Sequence, residues 1–200
     1  MKVLNLTEQA EVYTSNVYLV TGSRNAMEDV NTLIDVGQDP HVLAKIGAAS
    51  TGVGKKRIAQ VILTHNHYDH TGMLPLIRKE YRPVCYAFST SLDGIDRQLY
   101  DGQHLKCGDR FFEVIHTPGH STDSVCLYCA DEQVLFSGDT PLRITSHDQG
   151  YAEEFVQALV RLGALAIETV YPGHGDPYGG GTAIIRESLG VLTGGLRREV

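Results

Sequence analysis

A four-layer α/β sandwich, with two sheets each covered on its outer face by helices, is the fold class that this chain predicts. Three observations lead there. Strand-like and helix-like periods alternate in both halves of the chain. Several strand-like runs are apolar at consecutive positions, as strands buried on both faces are. At 200 residues and 42% hydrophobic content the chain can build one sizeable core. A single doubly wound sheet is the alternative that the same alternation allows. No internal repeat, low-complexity stretch or Pro/Ser-rich linker interrupts the pattern, so residues 1–200 read as one domain.

In the first half, Lys2–Leu6, Asn16–Thr21 and Asn31–Val36 read as meandering antiparallel strands, the last two joined by the turn-like Gly22–Glu28. Pro40–Ala49 suggests a short helix. Gln60-Val61-Ile62-Leu63 is a brief apolar run of the buried-strand type, and it ends abruptly at Thr64-His65. Leu74, Ile77 and Tyr81 fall at helical spacing within Thr71–Tyr81, and Val84–Phe88 returns to a strand pattern. In the second half, Phe111–Ile115, Ser124–Cys129 and Gln133–Phe136 read as strands, the last two closing a hairpin through Ala130-Asp131-Glu132. Phe155, Leu159 and Leu162 share one face of a helix over Tyr151–Leu162. Thr169-Val170-Tyr171 is a short strand and Ala183–Leu192 a closing helix.

Composition narrows the partners. Seventeen Lys and Arg against 24 Asp and Glu leave a formal charge of −7 without a basic stripe, which disfavours nucleic acid and favours a small-molecule substrate. No apolar run approaches the roughly 18 residues of a membrane helix. Glu8 and Glu11 interrupt any secretory core near the start, so a cytoplasmic location with no membrane partner is expected. Cys126 and Cys129 form a C-x-x-C, but within a strand positions three apart face opposite sides and cannot share an ion. These two, with Cys85 and Cys107, read as buried free thiols.

Chemistry concentrates after the run at 60–63. Thr64-His65-Asn66-His67-Tyr68-Asp69-His70-Thr71-Gly72 places three imidazoles and a carboxylate within six residues. In extended chain, residues two apart project to one side, so His65 and His67 can grip one ion while Asp69 and His70, at the turn into a helix, face a neighbouring one. Three further segments share a grammar of strand, Gly or Pro turn, then a ligand-type residue: Thr117-Pro118-Gly119-His120, Phe136-Ser137-Gly138-Asp139 and Tyr171-Pro172-Gly173-His174. His116 competes with His120, and the Pro-Gly turn favours His120. His41 and His104 lie in polar segments and read as surface residues.

The order H-x-H-x-D-H, P-G-H, G-D, P-G-H-G between Thr64 and Gly175 resembles the metallo-β-lactamase-fold superfamily of hydrolases. The resemblance implies its αββα sandwich, with His65, His67 and His120 on one metal and Asp69, His70 and His174 on another. Asp139 would bridge both. It further implies that Asp35, at an early strand end, orients a ligand imidazole from outside. Two divalent ions so held, zinc by default with iron or manganese tolerated, would make a bridging hydroxide available at neutral pH, with Asp69 also handling its proton. Loop residues Arg143, His147 and Tyr151, with Tyr68 beside the metals, are the candidate substrate contacts.

Within the superfamily, true β-lactamases carry Cys or Ser in place of the bridging aspartate, and ribonuclease-type members act on polyanions. The resemblance therefore points to the glyoxalase II-like group, without the extra C-terminal helical region that helps full-length glyoxalase II hold glutathione. A thioester, ester or lactone is the expected substrate class. A persulfide dioxygenase-like enzyme using one iron and a non-catalytic ligand-binding member of the fold are the alternatives.

Overall fold

A computed structural model of the chain describes residues 1–8, 10–146 and 150–194. Its layers follow from the period of two along the central strands. In β2 (Tyr18–Thr21), Tyr18 and Val20 point one way and Leu19 the other; in β3 (Thr32–Ile34) Leu33 and Ile34 divide likewise. A strand apolar on both faces must be covered on both. β1 (Lys2–Asn5), β2 and β3 form an antiparallel meander, and α1 (His41–Ala48) then crosses to β4 (Gln60–Ile62), which pairs parallel with β3. The one-turn α2 (Tyr68–Thr71) and α3 (Leu74–Tyr81) carry the chain to β5 (Val84–Ala87), and β6 (Arg97–Gln98) closes a six-stranded sheet in the order β1-β2-β3-β4-β5-β6.

The second sheet mirrors the first. β7 (His104–Cys107), β8 (Arg110–His116), β9 (Val125–Cys129) and β10 (Val134–Gly138) run antiparallel in turn. The helix α4 (Glu153–Gly163) crosses to β11 (Thr169–Pro172), which is parallel to β10, and β12 (Tyr178–Gly179) and α5 (Gly181–Gly194) follow. Its order is β12-β11-β10-β9-β8-β7.

Three apolar clusters fill the spaces between the layers. Val42 and Ile46 of α1 and Leu74 and Ile77 of α3 pack on Leu19, Leu33 and Val61 outside the first sheet. Phe155, Leu159 and Leu162 of α4 and Ile185 of α5 pack on Ile115, Leu135 and Val170 outside the second. Tyr18, Val20, Ile34 and Ile62 meet Phe112, Val114, Leu127 and Phe136 between the sheets. The αββα expectation therefore holds, and the doubly wound alternative is excluded. All four cysteines are free and buried, with Cys126 in the outer cluster and Cys129 in the inner one, on opposite faces as the strand period requires.

Three strands were not legible beforehand. β6 and β12 have two residues each and are defined by pairing with β5 and β11, whereas the four-residue β7 pairs with β8 and alternates, with only Leu105 and Cys107 facing the inter-sheet core. The third early strand also ends sooner than its apolar pattern suggests, because Asp35 adopts φ +57°, a left-handed conformation that leaves the sheet. Among the described residues no helix is long and apolar enough to cross a membrane.

Phe112 is fully buried between the sheets. Phe112→Ala is expected to destabilise the fold by about 3–5 kcal/mol through lost transfer energy and a residual cavity. A urea midpoint close to that of the parent protein would show that the inter-sheet layer is not the main core.

Candidate metal centre

Within their sheets β3 and β4 run the same way, as do β8, β10 and β11, and the segments leaving their carboxyl ends meet at one end of the sandwich. The left-handed turn at Asp35 aims its carboxylate across to the segment after β4. Oδ1 accepts the Thr64 backbone N–H at 2.8 Å, and Oδ2 lies 2.8 Å from both Thr64 Oγ1 and His70 Nδ1. Val36 and Gly37 donate their backbone N–H groups to the His70 carbonyl, fixing α2 from below. The second sheet approaches just as closely, since Val125 N–H donates to the Thr64 carbonyl at 2.9 Å.

Two glycines make this approach possible. Gly138 has φ +49°, and a Cβ there would lie 2.6 Å from Thr64 Oγ1. A Cβ on Gly173 would lie 2.1 Å from Asp139 Oδ1 and 2.9 Å from His70 Cε1. Both positions put Asp139 hard against the H-x-H-x-D-H segment.

Seven side chains converge as two triads around one carboxylate. His65 Nε2 and His120 Nε2 lie 3.0 and 2.9 Å from His67 Nδ1. One ring nitrogen has a single in-plane lone pair or proton, so it cannot complete good hydrogen bonds with both. These three residues, with their ligand atoms within 4.8 Å of one another, form a group that could hold a metal ion. Asp69, His70 and His174 form the second triad, with Asp69 Oδ2 3.1 Å from His174 Nε2 and 3.8 Å from His70 Nε2. Asp139 lies between them: Oδ1 is 3.3 Å from His70 Nε2, and Oδ2 is 3.5 Å from both His120 Nε2 and His174 Nε2.

Buried side-chain atoms lacking a hydrogen-bond partner include His70 Nε2, His174 Nε2 and Asp139 Oδ1, all directed into this cluster. Such orphaned atoms are costly without a partner, and imidazole with carboxylate is a fitting donor set for a divalent cation. His65 and His70 form a buried floor, whereas His120 and His174 keep 31% of their side-chain surface, so the site opens to solvent on one side.

The electrostatics agree. Burial, helped by the neighbouring His70, lowers His65 to about 4 and keeps it neutral. Burial also lowers His120. For His70 burial is outweighed by the Asp35 and Asp139 carboxylates, which push it up to about 10. Asp139 raises His174 in the same way. Against its own burial, Asp139 is held far below the usual carboxylate range by His174 and His70.

The remaining expectations divide. His116 stays outside the triads, stacked on Phe88 with centroids 4.0 Å apart and with Nε2 2.9 Å from the Thr122 carbonyl. His41 and His104 are exposed. Tyr68 begins α2 and is 72% exposed beside Asp69. Tyr151 packs on Phe155, whose ring lies against Gly119, next to His120. Arg143 is exposed, and His147 lies outside the described residues. Unanticipated are Tyr13, stacked on His174 at 5.2 Å, and Asn16, whose N–H donates to the Gly173 carbonyl at 2.6 Å. Neither residue type signals such a role.

Residues 10–174 match the metallo-beta-lactamase superfamily. The chain belongs to that family. Among curated members it is 32% identical over 171 residues to an atrochrysone carboxyl ACP thioesterase of Aspergillus fumigatus, covering 84% of this chain and 52% of that protein. It is 29% identical over 166 residues to the lactamase-like protein aptB of Emericella nidulans, covering 80% and 51%. The chain thus spans about half the length of these metallo-β-lactamase relatives. Among solved structures, ETHE1 from Myxococcus xanthus superposes with a TM-score of 0.71 at 21% identity, covering 96% of this chain and 85% of that one. A metallo-beta-lactamase family protein from Thermus thermophilus gives 0.68 at 20%, covering 94% and 77%. At these identities the superpositions show a shared fold.

Two outcomes follow for this superfamily member. Gly173→Ala is expected to displace Asp139 and strip bound metal while leaving most of the fold, as read by metal content after dialysis; full retention would contradict the close approach. The raised His70 contributes stability to chelator-treated protein that is fully present below its ordinary value of 6.5 and is lost as pH rises through about 10. Urea midpoints should fall across that window, and Asp35→Asn should flatten the slope. An unchanged slope in that variant would locate the effect elsewhere.

Proposed function

We propose that this protein is a binuclear metal-dependent hydrolase of small acyl thioesters. The observation that carries the reading is the place of Asp139, within 3.5 Å of nitrogens from both triads. In this reading His65, His67 and His120 hold one cation, Asp69, His70 and His174 hold the other, and Asp139 is shared. Zinc suits these borderline donors, and iron or manganese would be accepted by the same set. Such cations supply Lewis acidity, lowering the pKa of water from 15.7 toward ~7 and polarising an acyl carbonyl.

The chain's own residues do the rest. Neutral His65 and His120 offer lone pairs without first losing a proton, and Asp35 fixes the ring of His70 by accepting from Nδ1, which directs Nε2 into the site. Asp69, with 18% of its side-chain surface open, takes the proton of the attacking water on a carboxylate oxygen and passes it to the leaving sulfur. Tyr13, stacked on His174, and Tyr68, exposed beside Asp69, offer ring surface for the acyl group, and Tyr151 and Arg143 are further candidate contacts.

A thioester is favoured over an oxygen ester or lactone because several relatives are named as acyl-carrier-protein thioesterases. Glyoxalase II-like cleavage of a small thiol ester falls within the same chemistry. Purified protein is expected to carry close to two metal equivalents and to cleave acyl-N-acetylcysteamine thioesters faster than matched oxygen esters. Asp139→Ala should lower kcat/KM by about 100-fold or more, since even outer-shell partners cost about 10–100-fold. Full loading with no turnover of any thioester, ester or lactone would sink the proposal, as would a single iron with oxygen uptake on a persulfide.

A further inference from the structure

Between Tyr13 and Tyr18 the chain has no regular structure until β2 begins, and it carries no His, Cys, Asp or Glu. It nonetheless reaches from the first sheet to the loop that follows β11. The Asn16 backbone N–H donates to the Gly173 carbonyl at 2.6 Å. Its side-chain Nδ2 lies 2.9 Å from the Pro172 carbonyl and 2.7 Å from the Gly175 carbonyl. Tyr18 adds a hydroxyl donated to the Pro172 carbonyl at 2.8 Å, and Asn5 Nδ2 donates to Asn16 Oδ1 at 2.9 Å, fixing the amide's orientation. One residue earlier, the Ser15 N–H donates to the Asp69 carbonyl at 3.2 Å.

The carbonyls on either side of His174 are therefore held by one side chain, and the backbone of Asp69 by the residue before it. The loop needs such a hold. It is flanked by Gly173 and by Gly175 at φ +78°, two residues with little conformational resistance of their own. The first triad is secured differently. His120 is carried by a loop tied within the second sheet, where Thr117 N–H donates to the Ser124 carbonyl at 2.9 Å and Thr117 Oγ1 lies 2.9 Å from Thr140 Oγ1. His65 follows Thr64, which Asp35 anchors.

We propose that Asn16 is a positioning residue for the Asp69/His70/His174 subsite alone. Its side chain holds the loop that carries His174, next to the Ser15 N–H that holds the Asp69 carbonyl, and without that side chain the cost of ordering the Pro172–Gly175 loop falls on binding. The proposal rests on the two-cation reading above.

Zinc titration of the metal-free full chain against a competing chelator tests it. The parent protein should bind two equivalents. Asn16→Ala should weaken one by about 10–100-fold, the range for outer-shell partners, and leave the other unchanged. The weakened equivalent should be the one that disappears in His174→Ala, and adding Asn16→Ala to that variant should have no further effect. Tyr18→Phe, which removes one hydroxyl, should weaken the same equivalent by a smaller factor, and it decides the matter if Asn16→Ala does not fold. Equal weakening of both equivalents, or of neither, in folded variants would overturn the proposal while leaving two-cation binding intact. A parent protein that binds only one cation would instead overturn the reading beneath it.

Discussion

A strand that is apolar on both faces has to be covered twice, and the rest of this molecule follows from that requirement. Leu19, Leu33 and Val61 are taken by the helices of the first half, and Ile115, Leu135 and Val170 by those of the second. The other faces have only each other, so the two sheets stack through Tyr18, Ile62, Phe112 and Phe136. Once stacked, the segments leaving β3, β4, β8, β10 and β11 come out at one end. The cluster is thus a by-product of how the sandwich closes, with glycine where backbone and side chain come too near for a Cβ.

The price of such a cluster is electrostatic. Five imidazoles packed around two carboxylates cannot all be protonated, and the environment sorts them: His65 and His120 are driven toward neutrality by burial, while His70 and His174 lean on Asp35 and Asp139. Asp35 has a distinct place in this balance. Nearly inaccessible and backbone-strained, it is saturated by Thr64 and His70, so it can orient an imidazole but has no oxygen left to offer the open cleft. Asp139 is the reverse, poorly satisfied within the protein and exposed to both triads.

Much of the site was legible because its parts are local. The spacing of His65, His67, Asp69 and His70 is itself a statement about which groups can share an ion, and the Gly and Pro turns before His120, Asp139 and His174 mark where strands end. The choice of His120 over His116 also rested on a turn. What escaped was everything that acts through backbone carbonyls. Asn16 and Tyr18 bind a loop more than 150 residues further along the chain. Nothing in an Asn before a strand or a Tyr at its start announces such partners. β6 and β12 escaped for a related reason, since two-residue strands are held by their neighbours' hydrogen bonds and not by an apolar pattern of their own, while β7 offers a single short alternation of Leu105 and Cys107 among polar residues.

By itself the sequence determined the kinds of group available and the local period that aims them: imidazoles and carboxylates in turns, apolar residues alternating along strands, cysteines facing opposite sides of β9. Only the tertiary structure decided that these groups meet, that Asp139 stands between two triads and that Ser15, Asn16 and Tyr18 hydrogen-bond to the segments carrying Asp69 and His174. The physical reason is that side-chain direction is set within a few residues, whereas distance between remote loops is set by how two whole sheets pack.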